Sequence, residues 1–167
     1  MAYTVYLAGP DVFLPDAAKI GARKQALCRE YGIEGLFPLD TDAAADGDAA
    51  GIFRANVNLL RRADAGLFNL TPFRSPSADP GTVWELGFMY ALGKPVFGYS
   101  GVRGDFADRV APDGYAVERF GLPDNLMVAE AVRQSSGAFV TGSKQDSVAA
   151  IAAFEACLVR LDAARAR

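Results

Sequence analysis

The segment Ala65-Gly-Leu-Phe-Asn-Leu70, followed by Thr71-Pro-Phe-Arg-Ser-Pro-Ser-Ala78, then Asp79-Pro-Gly-Thr-Val-Trp-Glu-Leu-Gly-Phe-Met-Tyr-Ala-Leu-Gly93 and Pro95-Val-Phe-Gly-Tyr99, decides the architecture. A short apolar run before a cluster of turn formers reads as a buried strand. The Pro- and Ser-rich piece is a loop, and the long apolar stretch after Asp79 is a helix. Pro95 opens a second strand, a position where a strand tolerates proline. Strand, helix, strand is a parallel crossover, and a parallel sheet needs helices over both faces.

The same alternation extends in both directions. Tyr3-Thr-Val-Tyr-Leu-Ala8 is a strand stopped at Gly9-Pro10, and Gly9 leaves room beside it. A helix is expected from Pro15 to Tyr31, with Ala18, Leu27 and Cys28 inward, Lys19, Arg23, Lys24 and Glu30 outward, and Gly32 as its stop. A short strand, Gly35-Leu-Phe-Pro38, leads into a loop from Leu39 to Ala50 that holds Asp40, Asp42, Asp46 and Asp48. The next helix, Gly51 to Ala63, buries a stripe of Ile52, Leu59, Leu60 and Ala63. Asn56 falls on that stripe and Asn58 points away. Past Tyr99, the irregular stretch from Ser100 to Pro123 is too long for a plain connection. A short helix (Leu126 to Val132), a strand (Gly137 to Val140) and a long amphipathic helix (Ser143 to Ala166) complete the chain.

The expected fold is therefore α/β: a doubly wound, five-stranded parallel sheet with helices on both faces, forming one domain over residues 1–167. Ligands of such sheets bind beyond the carboxyl ends of the strands. Gly9 to Phe13, Leu39 to Asp42 and Thr71 to Glu85 all follow strands, which gathers Tyr6, Asn56, Asp79 and Glu85 at one pocket.

Composition narrows the chemistry. With 51% apolar and 22% charged residues among 167, the chain has ordinary globular proportions. A net charge of −3 with interspersed signs argues against a nucleic-acid polymer as partner. No apolar run reaches membrane-spanning length, and no basic region precedes an apolar one at the N-terminus, so no membrane association is expected and the location is read as cytoplasmic. Cys28 and Cys157 read as small core residues. The chain has no histidine, which removes Ser–His and Cys–His nucleophiles and most zinc sites. Carboxylates, Tyr, Asn and Arg are left to do any chemistry. There is no Gly-x-Gly-x-x-Gly and no P-loop, and the acidic loop does not follow EF-hand spacing; no cofactor and no metal are expected.

Several residues have two readings. Glu85 is the only charge between Asp79 and Lys94. Thr82-x-x-Glu85 matches a capping box, and Asp79-Pro80 matches an N-cap followed by proline, so both acids could serve the helix start; a carboxylate in such apolar company could equally serve chemistry. Asn56 could satisfy backbone groups or line the pocket. Arg74 could bind a ligand or pair with the acidic loop.

Taken together, Tyr6-Leu-Ala-Gly-Pro-Asp-Val-Phe13, Asn56 eight residues before Asp64, Leu70-Thr-Pro-Phe-Arg74, Asp79-Pro-Gly-Thr-Val-Trp-Glu-Leu-Gly87 and Phe120-Gly-Leu-Pro-Asp-Asn-Leu-Met127 resemble the nucleoside 2-deoxyribosyltransferase family. The resemblance implies a flavodoxin-like fold, a place in nucleoside salvage, and 2′-deoxynucleosides and free nucleobases as partners. It implies Glu85 as nucleophile, Asp79 as the group serving the base, and Tyr6 against the nucleophile. Gly9, Phe13, Asn56 and Arg74 fall among its substrate-binding segments. Asn125, with Met127 in the same motif, would reach a neighbouring subunit's site to hold the sugar 5′-hydroxyl, which requires a homo-oligomer of at least two copies.

The implied reaction forms a covalent deoxyribosyl ester on Glu85 as one base leaves, and a second base then attacks, with retention at C1′. Glu85 would have to be ionised, which a place in the first helical turn favours. Asp79, with a raised pKa, would protonate the departing base. Two alternatives stand beside this: a deoxynucleoside or deoxynucleotide N-glycosidase on the same fold, and a nucleotide-binding module without chemistry. Asp11, just past Gly9-Pro10, is expected to repel a 5′-phosphate and so to favour a free nucleoside.

Overall fold

The structure, a computed structural model, describes residues 2–40, 48–136, 138–142, 148 and 150–166. Strands β1 (Tyr3–Ala8), β2 (Ile33–Leu36), β3 (Ala65–Asn69), β4 (Val96–Ser100) and β5 (Phe139–Thr141) form one five-stranded sheet in the order β2-β1-β3-β4-β5. Every pairing is parallel. This is the flavodoxin-like doubly wound order, whose switch point lies between β1 and β3.

Helices α1 (Ala17–Glu30) and α6 (Ile151–Arg165) cover one face, where Cys28, Phe154, Cys157 and Leu158 pack on Val5, Leu7 and Leu67. On the other face lie α2 (Ala49–Arg62), α3 (Pro80–Ala91) and α5 (Leu126–Ser135), with Leu60, Leu86, Met89 and Val132 against Ala8, Phe68 and Leu70. Side chains alternate across a strand. Val5 and Leu7 therefore join the first cluster and Tyr6 the second, which sends the Tyr6 phenol toward α3. No helix among the described residues is long and apolar enough to cross a membrane.

Several boundaries differ from expectation. β2 begins at Ile33, pairing Ile33 with Tyr3 and Leu36 with Tyr6, so Phe37 and Pro38 follow the strand. The reason is Gly32, whose φ of 66° turns the chain directly out of α1 and into the strand. α2 starts earlier than read, because Asp48 caps it by accepting from the Ala50 and Gly51 backbone N–H groups. The buried face of α1 is Ala17, Gly21, Lys24 and Cys28 rather than Ala18, Leu27 and Cys28. Gly21 sets that rotation: a Cβ there would come within 2.5 Å of the Phe37 ring, so this position has to be a glycine pressed against Phe37. The last helix begins at Ile151, after Ala150 in the left-handed region, rather than at Ser143; positions 143–147, and 41–47 of the acidic loop, lie outside the described residues. The stretch after β4 holds one short helix, α4 (Phe106–Arg109).

Candidate active site

Asp79 caps α3. Its Oδ2 accepts from the Thr82 backbone N–H at 3.0 Å and from the Thr82 hydroxyl at 3.2 Å, and Pro80 is the first helical residue. The cap reading of Asp79 is therefore correct, whereas the Thr82–Glu85 capping box does not form. Glu85 lies beyond the first turn of α3, and its partner is a side chain from the sheet: the Tyr6 hydroxyl donates to Glu85 Oε1 at 2.6 Å. Tyr6 is fully buried within β1.

Burial dominates the electrostatics of this pair. It pushes the Glu85 pKa up to about 7; the Tyr6 hydrogen bond pulls the other way, and the negative charge of Asp79 adds a further push upward. The expectation that a helix N-terminus keeps Glu85 readily ionised is thereby corrected, since the residue sits too far along α3 for the macrodipole to offset desolvation. The Tyr6 phenol is itself raised, first by burial and then by the adjacent carboxylate, so it stays protonated and remains the donor.

A cavity of about 330 Å³ opens beside the pair, within the size range of small-molecule sites. Gly9, Phe13, Asn56, Asp79 and Glu85 line it, and Val12, Pro38, Leu39, Ile52, Gly81 and Thr82 complete its wall. A second, more open hollow of about 490 Å³ shares Ile52, Asn56, Gly81 and Glu85 and adds Ala49, Phe53 and Trp84. Trp84 lies between Phe53 and Phe88, with ring centroids 5.3 Å from each.

Gly9 is required by close approach. A Cβ there would lie 2.5 Å from Asn69 Cβ, so the β1 turn can pass the end of β3 only without a side chain. Asn56 resolves against backbone satisfaction: its Oδ1 is buried and, among the described residues, accepts no hydrogen bond. An acceptor in that state on a cavity wall is available to a ligand donor.

The remaining expected residues are placed as follows. Phe13 stacks on Phe73 at 5.5 Å, and the exposed Arg74 guanidinium lies over both rings, 5.3 and 4.8 Å from their centroids. Arg74 thus braces the Phe13 wall without lining the cavity, and among the described residues it makes no ion pair. Asn125 and Met127 do not line the cavity of their own chain. Asn125 caps α5, accepting from the Met127 N–H at 3.0 Å and donating to Glu118 Oε2 at 3.1 Å, and Met127 is 72% exposed.

Asp11 does not face the cavity as a free charge. It is 2% exposed and bonded by Lys24 Nζ at 2.7 Å and Asn69 Nδ2 at 3.1 Å, so the inference that it repels a phosphate fails. Lys24, expected outside, is fully buried, donates also to the Tyr99 hydroxyl at 2.8 Å, and lies over the Tyr99 and Phe154 rings. Val12 and Leu39 are wall residues not singled out from the sequence, and Ile52 and Thr82, read as a buried-stripe and a capping residue, line the cavity instead. Their signal was positional, since each follows a strand end or begins a helix, as the pocket rule requires.

A flavodoxin-like sheet with two carboxylates on a cavity wall by its switch point, one of them bonded by a buried phenol, defines an α/β protein with a candidate active site. The sequence profile of the nucleoside 2-deoxyribosyltransferase family matches residues 5–127, and the chain belongs to that transferase family. A solved 2-desoxiribosyltransferase from Leishmania mexicana is 34% identical, with 92% of this chain and 97% of that one covered and a TM-score of 0.70. A 2-deoxyribosyltransferase from Bacillus psychrosaccharolyticus (22% identity, 87% and 90% covered, TM-score 0.51) and a conserved protein from Enterococcus faecalis (20%, 91% and 98%, TM-score 0.57) share the fold. An uncharacterized protein of Schizosaccharomyces pombe is 39% identical over 103 residues, which are 58% of this chain and 49% of that protein, so the chain spans about half the length of this curated relative.

Proposed function

We propose that the protein moves 2-deoxyribose from one nucleobase to another through a covalent ester on Glu85. The observation that carries this reading is the 2.6 Å bond from Tyr6 to a largely buried Glu85 on the wall of a nucleoside-sized cavity that Asp79 and Asn56 share. In the first step a Glu85 carboxylate oxygen attacks C1′. The C1′–N bond breaks with its electron pair passing to the base, and Asp79, entering this step as the carboxylic acid while Glu85 is the carboxylate, supplies the proton that keeps the base neutral as it departs. In the second step an incoming base attacks C1′, the ester bond breaks back onto Glu85, and a base proton returns to Asp79. Two inversions give retention.

Tyr6 holds one carboxylate oxygen and leaves Oε2 for the attack. Asp79 uses Oδ2 in the helix cap, and among the described residues Oδ1 has no partner, which leaves it for the base. Asn56 offers its free acceptor to a sugar hydroxyl, and Phe13 offers a ring face. A second copy of the chain supplies Asn125 and Met127; the exposure of Met127 and the absence of both residues from the cavity of their own chain support that arrangement.

Intact-protein mass after mixing with a 2′-deoxynucleoside tests nucleophile and reaction class together. The expected result is a deoxyribosyl adduct that disappears on adding a second base and never forms with Glu85→Ala. Release of free base and deoxyribose alone, whatever base is offered, would establish a hydrolase instead. If neighbouring copies share sites, mixed oligomers of Glu85→Ala and Asn125→Ala should regain exchange activity that each lacks alone.

A further inference from the structure

Asp124 is a buried carboxylate that the reaction does not touch. It is 1% exposed, yet three donors converge on it: the Ser77 hydroxyl and the Asn125 backbone N–H on Oδ1, the latter at 2.7 Å, and the Ala78 backbone N–H on Oδ2 at 3.0 Å. Two of these belong to the residues immediately before Asp79. Arg109 joins the same two segments from another side, donating to Pro76 O at 3.0 Å and to Pro123 O at 2.5 Å. Beside Asp79 the β3–α3 loop is thus fastened to the 101–125 stretch by one carboxylate and one guanidinium, while at the loop's start the Thr71 hydroxyl accepts from the Gly101 N–H at 2.9 Å.

We propose that Asp124 is a positioning residue for Asp79, fixing where that carboxyl meets the departing base. Asp79 is held at two places. Downstream, Thr82 binds its Oδ2; upstream, its chain direction is set by Ala78, whose N–H is tied to Asp124. Only the upstream tie can move the Asp79 carboxyl without undoing the helix cap. A carboxylate suits the task because all three partners are donors and it can only accept. An asparagine of the same shape would turn an NH₂ group against one of them, leaving a buried donor unpaired and the loop shifted. The same oxygen that holds Ser77 also takes the Asn125 N–H, so a single side chain orients the base-serving acid of its own site and the residue offered to a neighbour's.

This role rests on the transferase reading, and its test separates the two. Base release is followed for a series of 2′-deoxynucleosides of one ring type, graded in the acidity of the free base, with a saturating acceptor. An acidic base leaves without help, whereas a weakly acidic one needs the proton. Asp124→Asn is expected to slow release about tenfold for the most acidic base and about a hundredfold for the least. Asp79→Asn should show the same gradient more steeply. Ser77→Ala, which keeps the buried carboxylate and removes one of its donors, should show a shallower version, and it decides the question on the same criterion if Asp124→Asn does not fold. A loss equal across the series, with wild-type release intact, overturns the positioning role alone. No release by the wild type from any member overturns the transferase reading and this role with it.

Discussion

Glu85→Gln changes one charge and no heavy-atom count, and it keeps an oxygen to accept from Tyr6. In the wild type, burial raises the Glu85 pKa from 4.5 to about 7. A carboxylate whose folded pKa lies above its unfolded one binds its proton more tightly when folded. Its contribution to stability is therefore greatest below pH 4.5 and is lost as pH rises through about 7. Above that, the full cost of an ionised buried group remains: the gap between 4.5 and about 7, at about 1.36 kcal/mol per pH unit, is about 3 kcal/mol. Glutamine does not titrate. The variant should exceed the wild type by less than about 1 kcal/mol near pH 5 and by up to about 3 kcal/mol at pH 8, the latter in a chain of this size a rise in Tm of about 6–12 °C. Thermal unfolding followed by circular dichroism at both pH values measures this directly. A gain that is absent at pH 8, or equal at pH 5 and pH 8, would refute the claim that Glu85 is an expensive buried charge retained for its chemistry.

Tyr6→Phe removes the bond that favours the Glu85 carboxylate, so the ascending limb of kcat/KM against pH, expected near 7 in the wild type, should move to higher pH; a limb that stays or moves down contradicts the pairing. Gly9→Ala forces a Cβ to within 2.5 Å of Asn69 and should cost about 1–3 kcal/mol in urea unfolding, with loss of activity as the β1 turn shifts. Lys24→Met leaves Asp11 buried without its counter-charge and should cost about 3–5 kcal/mol, most of which Asp11→Asn in the same chain should recover. If the double variant is no better than Lys24→Met alone, the penalty is one of packing rather than of charge.

The fold was legible because strand–helix alternation and the punctuation at Gly9-Pro10, Gly32 and Pro95 are local signals, and local signals suffice to specify a parallel sheet. The inward face of α1 was not. Helical periodicity assigns a lysine to the outside by default, and nothing near Lys24 in the chain announces that Asp11, itself held by Asn69, and the Tyr99 hydroxyl will converge on it from distant strands. A buried ion pair is a tertiary event, so it escapes any rule that reads one element at a time. The same limit explains Glu85. The capping-box pattern was satisfied on paper, but helix α3 begins at Pro80, and with that start Glu85 falls where only a residue from the sheet can reach it.

Asp79 shows how a local rule can do tertiary work. Cap and proton donor stood as competing readings of one carboxylate, but the two use different oxygens. The cap takes Oδ2 through Thr82, which fixes the side chain at the entrance of α3, and α3 in turn carries Glu85 along the same cavity wall. A carboxylate held by a helix start is kept close to a group on that same helix, and the upstream tie of Ala78 to Asp124 then sets the direction in which it faces the base. The bland capping motif is therefore what brings the two acids to one cavity. Because the cap bonds leave Oδ1 unoccupied among the described residues, removing the Thr82 hydroxyl by Thr82→Val should loosen Asp79 while keeping its charge, and should slow release of weakly acidic bases more than acidic ones. Equal slowing of all bases would return Asp79 to capping alone.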